Sequence, residues 1–158
     1  MPTNHALLLS IRPQFVEAIF AGTKTVELRR VRPRLQNGDL VVIYASGTTK
    51  GIVGAFEVAG VTAATPNEIW RMHNGGSGLE REKFDLYFAG TSVGFAIQIG
   101  KLWKQSVPVG LGTLRERQIG FRPPQSYHYW QRDELLRVGG EELRLSIQRR
   151  SQSRRCKD

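Results

Sequence analysis

Short apolar runs, separated by breaks rich in glycine and proline, predict a succession of strands along the chain. Residues 6–11 and 40–45 are almost continuously apolar, which is typical of strands buried on both faces. Residues 52–62 and 93–103 mix apolar residues with glycines, and they predict two longer strands with bulge-like irregularities. A further strand is expected soon after Gly22, where apolar and polar residues alternate.

Helices are predicted mainly from the signals at their ends. Pro13 and Gly22 bracket a segment with apolar residues at helical spacing, which predicts a helix over 14–21. Thr65 and Glu68 have the spacing of a capping box, so a second helix should begin at the intervening proline. Two more helical segments are expected at 79–89 and 133–138.

Strands outnumber helices in this pattern, and the glycine-marked strands suit a small, curved sheet. We therefore expect the α+β class, with a barrel-like sheet of about five or six strands flanked by short helices. A chain of 158 residues has the length of one domain. That domain is expected over 1–138. A basic, flexible tail is expected over 139–158, where Leu143, Leu145 and Ile147 alternate as in a short strand or an undocked segment.

The formal net charge of +9 changes the picture, because it favours a polyanionic partner, above all nucleic acid. Part of this charge lies in the arginine-rich last ten residues. The alternative is a solvated basic surface that serves solubility. No window approaches the roughly 20 apolar residues of a bilayer span, so no membrane association is expected.

Cysteine, histidine and glycine patterns exclude several classes of site. Cys156 is the only cysteine, which leaves no partner for an intramolecular disulfide and favours a reducing, cytoplasmic setting. The three histidines show no metal-ligand spacing, and the glycines form no phosphate-loop or dinucleotide fingerprint. Neither a metal nor a cofactor is expected.

The densest candidate chemistry lies in Gly22–Arg29, which reads G-x-K-x-x-E-x-R. In a pleated strand Glu27 and Arg29 point to one face, and Lys24 lies at the edge of the preceding turn. Such a group can hold a phosphate, a base edge or a polarised carbonyl. The alternative is a surface ion pair that contributes little.

Further candidates follow the two strongest strands. Ser10 and Arg12 end the first strand, where they can meet an anion, although Ser10 can also cap the next helix. Tyr44 ends the second strand, and its ring can belong to the core or stack on a base. Ser46 and Lys50 lie in the loop that follows.

A rigid turn near the end of the predicted domain adds three polar groups. Gln125 offers an amide that can read a base edge, Ser126 a hydroxyl and Tyr127 an aromatic ring. Two prolines directly before Gln125 restrict the backbone of this turn.

Taken together, these motifs resemble the ASCH domain (activating signal cointegrator homology), a family within the PUA-like superfamily. Its G-x-K-x-x-E-x-R signature is matched by Gly22, Lys24, Glu27 and Arg29. Further segments resemble the family in the same order: Ser-Ile-Arg-Pro at 10–13, Gly-Asp at 38–39, Tyr-Ala-Ser at 44–46, Tyr-Phe-Ala-Gly at 87–90 and Pro-Pro-Gln-Ser-Tyr at 123–127.

The resemblance implies a small PUA-like β-barrel with a cleft lined by the signature residues. It also implies RNA or a modified nucleotide as ligand, because PUA-like domains commonly bind RNA. One branch of the family removes the acyl group from N4-acetylcytidine, and another acts as a metal-aided ribonuclease. In the amidohydrolase branch a threonine stands at the position of Glu27, so this chain departs from that branch.

Two hypotheses follow, and the sequence leaves open whether the chain is an enzyme and what its oligomeric state is. As a binding module, the chain would place Lys24 and Arg29 on phosphate or carbonyl oxygens. Glu27 would accept from an exocyclic amine, and Tyr44 or Tyr127 would stack on a base.

As a hydrolase of N4-acylated cytidine or of RNA, the chain would use Lys24 as general base and Glu27 as proton shuttle. Tyr44, Ser46 or Ser126 would then donate to the developing oxyanion.

The binding hypothesis predicts that affinity for a short single-stranded RNA falls steeply as salt rises, because bound cations release counterions from the phosphates. Each neutralised phosphate contributes about −0.7 to the slope of log K against log salt. Fluorescence anisotropy at several sodium chloride concentrations measures that slope. Binding that is absent or insensitive to salt would contradict the hypothesis.

Overall fold

The computed structural model describes residues 4–155, with side chains described through residue 149. Its strands are β1 (His5–Ile11), β2 (Val26–Arg29), β3 (Leu40–Ala45), β4 (Gly51–Ala64), β5 (Gly94–Gly110) and β6 (Tyr127–Gln131). Its helices are α1 (Pro13–Ala21), α2 (Pro66–His73), α3 (Arg81–Tyr87), α4 (Leu111–Arg117), α5 (Arg132–Gly139) and α6 (Glu141–Arg155). The expected α+β class is confirmed.

The six strands are hydrogen-bonded in the order β2-β5-β4-β3-β1-β6. β1 runs parallel to β3 and antiparallel to β6, and β2 runs antiparallel to β5. The sheet is therefore mixed, and its one parallel pair among these joins the two most apolar strands. Within residues 4–155, no helix combines the length and apolar character that crossing a bilayer requires.

The described chain divides into two compact units. Unit 1 contains residues 14–39 and 57–101, and unit 2 contains 4–13, 40–56 and 102–155, so β4 and β5 contribute to both. The core of unit 1 contains residues of β2, α2 and α3. Its buried members are Val26, Leu28, Ile69, Phe84, Phe88 and Ala96.

Unit 2 is built around β1, β3 and the helices that follow β5. Alternate residues of the two strands enter one core, together with Leu114 of α4, Leu135 of α5 and Leu143 of α6. Leu7, Leu9 and Ile43 are buried as well, so β1 and β3 are covered on both faces. This accounts for their continuous apolar sequence.

Local sequence signals correctly predict where several helices begin or end. The Thr65 side chain accepts from the Glu68 N–H, and the Glu68 carboxylate accepts from the Thr65 N–H, which confirms the capping box at α2. α1 ends at Ala21, and Gly22 follows with a φ of +83°, the left-handed conformation that glycine adopts without strain.

Two strands differ from the expectation. β5 continues to Gly110 instead of ending near residue 103. β6 was not predicted. It follows the predicted turn and is identified as a strand by its pairing with β1. Its five residues are exposed or half-buried, so no apolar pattern marks it as a strand.

The expectation of a strand or an undocked segment after residue 139 is wrong over 141–149. These residues begin α6, where Leu143 and Ile147 lie one helical turn apart and are buried in the core of unit 2. Alternation of Leu143, Leu145 and Ile147 fits a strand, but its first and last members also fit a helix. Cys156 lies outside the described residues, and the position of a domain boundary stays a prediction.

Leu143→Ala should lower the free energy of unfolding by about 2–5 kcal/mol, because it leaves a cavity where α6 meets the core of unit 2. Urea unfolding followed by circular dichroism measures the change. The matched control is Arg149→Ala, an exposed position on the same helix, which should stay within about 0.5 kcal/mol of the unchanged protein. Equal stability of the two variants would mean that α6 is not docked.

Candidate functional site

Lys24 is buried in unit 1, with 5% of its surface exposed. Its Nζ donates to the carbonyl oxygens of Val26 at 2.9 Å and Ser77 at 2.6 Å. The same atom lies 3.3 Å from the Glu27 carboxylate. Because an ammonium has three N–H donors, these three partners account for all of them. This arrangement surrounds Nζ with acceptors and fixes β2 against the Ser77 loop.

Glu27 lies between two cations. One carboxylate oxygen faces Lys24, and the other lies 3.6 Å from the Arg29 guanidinium. Glu27 and Arg29 are two positions apart on β2, so the pleat turns both side chains to one face. Their side chains are only 18% and 16% exposed, so solvent screens this cluster less than it screens a surface pair.

Tyr87 belongs to the same surroundings, although it was not among the predicted site residues. Its hydroxyl donates to the Leu28 carbonyl at 3.0 Å. Burial raises the pKa of the Tyr87 phenol, the charge of Arg29 lowers it and that of Glu27 raises it. Arg30 donates to the carbonyls of Tyr87 and Ala89, which fixes the end of α3 beside β2.

A sequence signal for Tyr87 existed, since the Tyr-Phe-Ala-Gly segment at 87–90 was among the motifs that resemble the family. No such signal exists for Ser77. It acts on Lys24 through its backbone carbonyl, which any residue type supplies.

In unit 2, the pairing of three strands brings predicted site residues to one end of the sheet. Ser10 stands opposite Tyr44 in the parallel pair β1–β3, so both strands end at the same level. β6 begins there, because Tyr127 stands opposite Leu9 in the antiparallel pair. We call the following residues the strand-end group: Ser10, Arg12, Tyr44, Ser46, Lys50, Gln125, Ser126 and Tyr127. The carboxyl ends of parallel strands are a common place for ligands in α/β sheets.

Short hydrogen bonds hold the turn before β6 and the loop after β3 against the end of β1. The Ser10 hydroxyl donates to the Pro124 carbonyl at 2.6 Å, and the Ser10 N–H donates to the Ser126 carbonyl at 2.9 Å. Ser46 donates to the Ile11 carbonyl from its N–H at 2.9 Å and from its hydroxyl at 3.3 Å. The two serines therefore position backbone around the strand ends.

Tyr44 is a core tyrosine with 2% of its surface exposed. Its ring contacts that of Phe121 in a tilted arrangement, with centroids 6.5 Å apart. Burial raises the pKa of the Tyr44 phenol above its ordinary value, and the charge of Arg115 opposes this in part. The phenol is therefore neutral near pH 7 and can donate a hydrogen bond.

The remaining strand-end residues are exposed, so a ligand can reach their side chains. Tyr127 is 38% exposed, and its ring meets that of Tyr129 edge to face with centroids 5.6 Å apart. Lys50 has a φ of +47°, unusual for a residue with a side chain, and its carbonyl accepts from the Leu111 N–H at 2.9 Å. Exposed side chains also include those of Arg12, Gln125 and Ser126.

The predicted site residues thus form two groups, one in each unit. Lys24, Glu27 and Arg29 are brought together in unit 1, and the strand-end group is brought together in unit 2. Among the residues whose positions are described, no group of three histidine, cysteine, aspartate or glutamate side chains could hold a metal ion.

Comparison with known proteins decides the family. The sequence model of the ASCH domain matches residues 9–98, which is more than half of the chain. The chain belongs to the ASCH domain family. This confirms the resemblance drawn from the signature motifs, and the α+β fold is that of the PUA-like superfamily to which the family belongs.

This ASCH chain is similar to proteins of the same family along most of its length. It is 28% identical over 138 residues to an ASCH domain-containing ribonuclease of Zymomonas mobilis, which covers 87% of this chain and 93% of that protein. The crystal structure of ASCH from Zymomonas mobilis superposes with a TM-score of 0.76 at 27% identity, covering 84% of this chain and 92% of that one.

The same bacterial protein has been crystallised as two variants. A tyrosine-to-phenylalanine variant superposes with a TM-score of 0.74 at 27% identity, covering 82% of this chain and 93% of that one. A serine-to-alanine variant superposes with a TM-score of 0.76 at 27% identity, covering 85% and 94%.

Lys24→Met should lower the free energy of unfolding by about 3 kcal/mol. The Glu27 carboxylate and the carbonyls of Val26 and Ser77 would all lose the ammonium that donates to them. Methionine keeps most of the volume of the apolar stem. Urea unfolding measures the loss, and Lys83→Met at an exposed position of α3 is the matched control, expected within about 0.5 kcal/mol of the unchanged protein. A small effect at both positions would show that the ammonium has no structural role.

Proposed function

We propose that this ASCH domain binds single-stranded RNA and cleaves its phosphodiester backbone. The observation that carries the proposal is the strand-end group, in which a neutral tyrosine, serines and cations meet at the ends of β1 and β3. The net charge of +9 favours a polyanionic substrate. The similar protein of Zymomonas mobilis is named a ribonuclease, which gives the proposal its reaction class.

The crystallised variants of that protein support the choice of residues. They replace a tyrosine and a serine, the residue types of Tyr44 and Ser126. The two replaced residues are separated along that chain by nearly the same number of positions as Tyr44 and Ser126 are here.

The proposed reaction is an internal displacement at phosphorus. The 2′-oxygen of the RNA attacks the adjacent phosphorus, the bond from phosphorus to the 5′-oxygen breaks, and a 2′,3′-cyclic phosphate forms. Water accepts the proton that the 2′-hydroxyl loses. Tyr44 donates a hydrogen bond to the leaving 5′-oxygen, which takes its proton from water.

The exposed cations and hydroxyl of the strand-end group suit the charge that develops on the phosphate. Lys50 and Arg12 compensate the negative charge of the non-bridging oxygens, and Ser126 donates a hydrogen bond to one of them. Gln125 and Tyr127 are the groups that would read and stack on a neighbouring base. Ser10 and Ser46 act indirectly, because their hydrogen bonds position the turn and the loop.

The geometry of Lys24 bears on the alternative, hydrolysis of N4-acylated cytidine. A general base needs a lone pair, whereas the Lys24 ammonium has three acceptors around it. Lys24 is better suited to hold Glu27 and the backbone in place. This is why we favour phosphodiester cleavage over amide hydrolysis.

Tyr44→Phe should reduce cleavage of a short fluorescent single-stranded RNA by about 100-fold, because it removes one donor that acts in the transition state. The ring stays in the core, so the thermal midpoint should hardly change. Denaturing gel electrophoresis of the products measures the rate. The matched control is Tyr129→Phe on β6, two positions from the strand end, which should cleave at the unchanged rate.

A DNA strand of the same sequence tests the mechanism, because it lacks the attacking hydroxyl and should stay intact. Cleavage of that DNA, or a Tyr44→Phe variant as fast as its control, would contradict the proposal. RNA that is bound and left whole would favour a binding module. Conversion of N4-acetylcytidine that disappears in Lys24→Met would favour the amidohydrolase.

A further inference from the structure

Unit 2 contains a cleft with a volume of about 640 Å³ at the junction of α4, α5 and α6. None of the strand-end residues lines it. Its walls are formed by Arg117, Asp133, Leu136, Arg137, Gly140, Glu141, Arg144 and Gln148. The volume lies within the range of roughly 300–1,000 Å³ that small-ligand sites occupy.

Two of its arginines are held in fixed positions by the backbone. Arg117 donates to the Val138 carbonyl at 3.1 Å, and its guanidinium lies against Gly140 so closely that a Cβ there would come within 2.6 Å of Nη1. Arg137 donates to the Arg117 carbonyl at 3.0 Å and to the Gln118 amide oxygen at 2.7 Å, and it forms an ion pair with Glu134 at 3.5 Å. A guanidinium has five N–H donors, so both retain donors for a ligand at little cost in side-chain entropy.

The third arginine stands on α6. Glu141, Arg144 and Gln148 are three and four positions apart, so they share one face of that helix and line the cleft together. Arg144 is exposed. Its guanidinium is therefore open to an incoming anion.

The lining carries both signs of charge, and this narrows the class of ligand. Two carboxylates, Asp133 and Glu141, stand among three guanidinium groups. A bare phosphate would leave these carboxylates without a partner in the ligand. A nucleotide offers both complements, because its phosphate accepts from arginine and an exocyclic amine donates to a carboxylate.

We propose that this cleft binds one nucleotide of the RNA, outside the strand-end group. The guanidinium groups hold the phosphate, and Asp133 or Glu141 accepts from the exocyclic amine of the base. Leu136 supplies an apolar contact for the base. The inference rests on the proposed function, because that function supplies RNA as the ligand.

The carboxylates give the cleft a preference among bases. Cytosine, adenine and guanine carry an exocyclic amine, whereas uracil presents a carbonyl oxygen at the corresponding position. That oxygen would face a carboxylate, so cytidine monophosphate should bind more tightly than uridine monophosphate. We expect a difference of about tenfold, the effect of one charge-assisted hydrogen bond.

The test titrates the full protein, labelled with ¹⁵N, with cytidine 5′-monophosphate and then with uridine 5′-monophosphate. The backbone N–H of Gly140 and the side-chain amide of Gln148 report on the cleft. Arg144→Gln should weaken cytidine monophosphate binding about tenfold. The matched control is Arg149→Gln, the same change at an exposed position of α6 that does not line the cleft.

Shifts at Gly140 and Gln148 that favour cytidine monophosphate and weaken in Arg144→Gln would support the inference. Absence of shifts there, equal affinity for the two nucleotides, or equal effects of the two arginine variants would overturn it. The outcome is separable from the proposed function. RNA cleavage without shifts at the cleft would sink this inference alone, and shifts without any RNA cleavage would sink only the proposed activity.

Discussion

The register of β1 with its two neighbours is the constraint on which the arrangement of unit 2 depends. Because successive side chains of a strand point to opposite faces, a slip of one residue would turn the core residues of β1 outward. The observed register sets Ser10 opposite Tyr44 and Leu9 opposite Tyr127. The same pairing that buries the core therefore also assembles the strand-end group.

The charged residues of the signature motif also have a structural role. Lys24 supplies donors to two backbone carbonyls from segments far apart in sequence, and Glu27 balances both neighbouring cations. A buried ion cluster of this kind adds little net stability compared with apolar packing, but it penalises any arrangement that leaves one member unpaired. We infer that the motif fixes how β2 meets the Ser77 loop.

Elements specified by local signals could be predicted, and those specified by distant partners could not. β1 and β3 follow from continuous apolar sequence, and α2 from its capping box. β6 has no apolar pattern and exists because β1 offers a partner. α6 was missed because the spacing of Leu143 and Ile147 fits both the period of a strand and that of a helix.

The candidate site shows the same division. Every member of the strand-end group was nominated from the sequence, but only the parallel pairing of β1 with β3 explains why they belong together. Tyr87 and Ser77 entered through tertiary contacts, the first by its hydroxyl on Leu28 and the second by a carbonyl. A residue that acts through its backbone cannot be recognised from its type, because any residue supplies the same carbonyl.

The burial of Tyr44 has an evolutionary consequence. Its ring belongs to the core, and in the proposed cleavage only its oxygen atom takes part, so the exchange of tyrosine for phenylalanine would separate the two roles. One nucleotide change in the codon is enough to make that exchange. Under the proposed function, a lineage could therefore pass between a cleaving and a non-cleaving form of the domain without rebuilding its interior, and relatives with different activities need not differ in architecture.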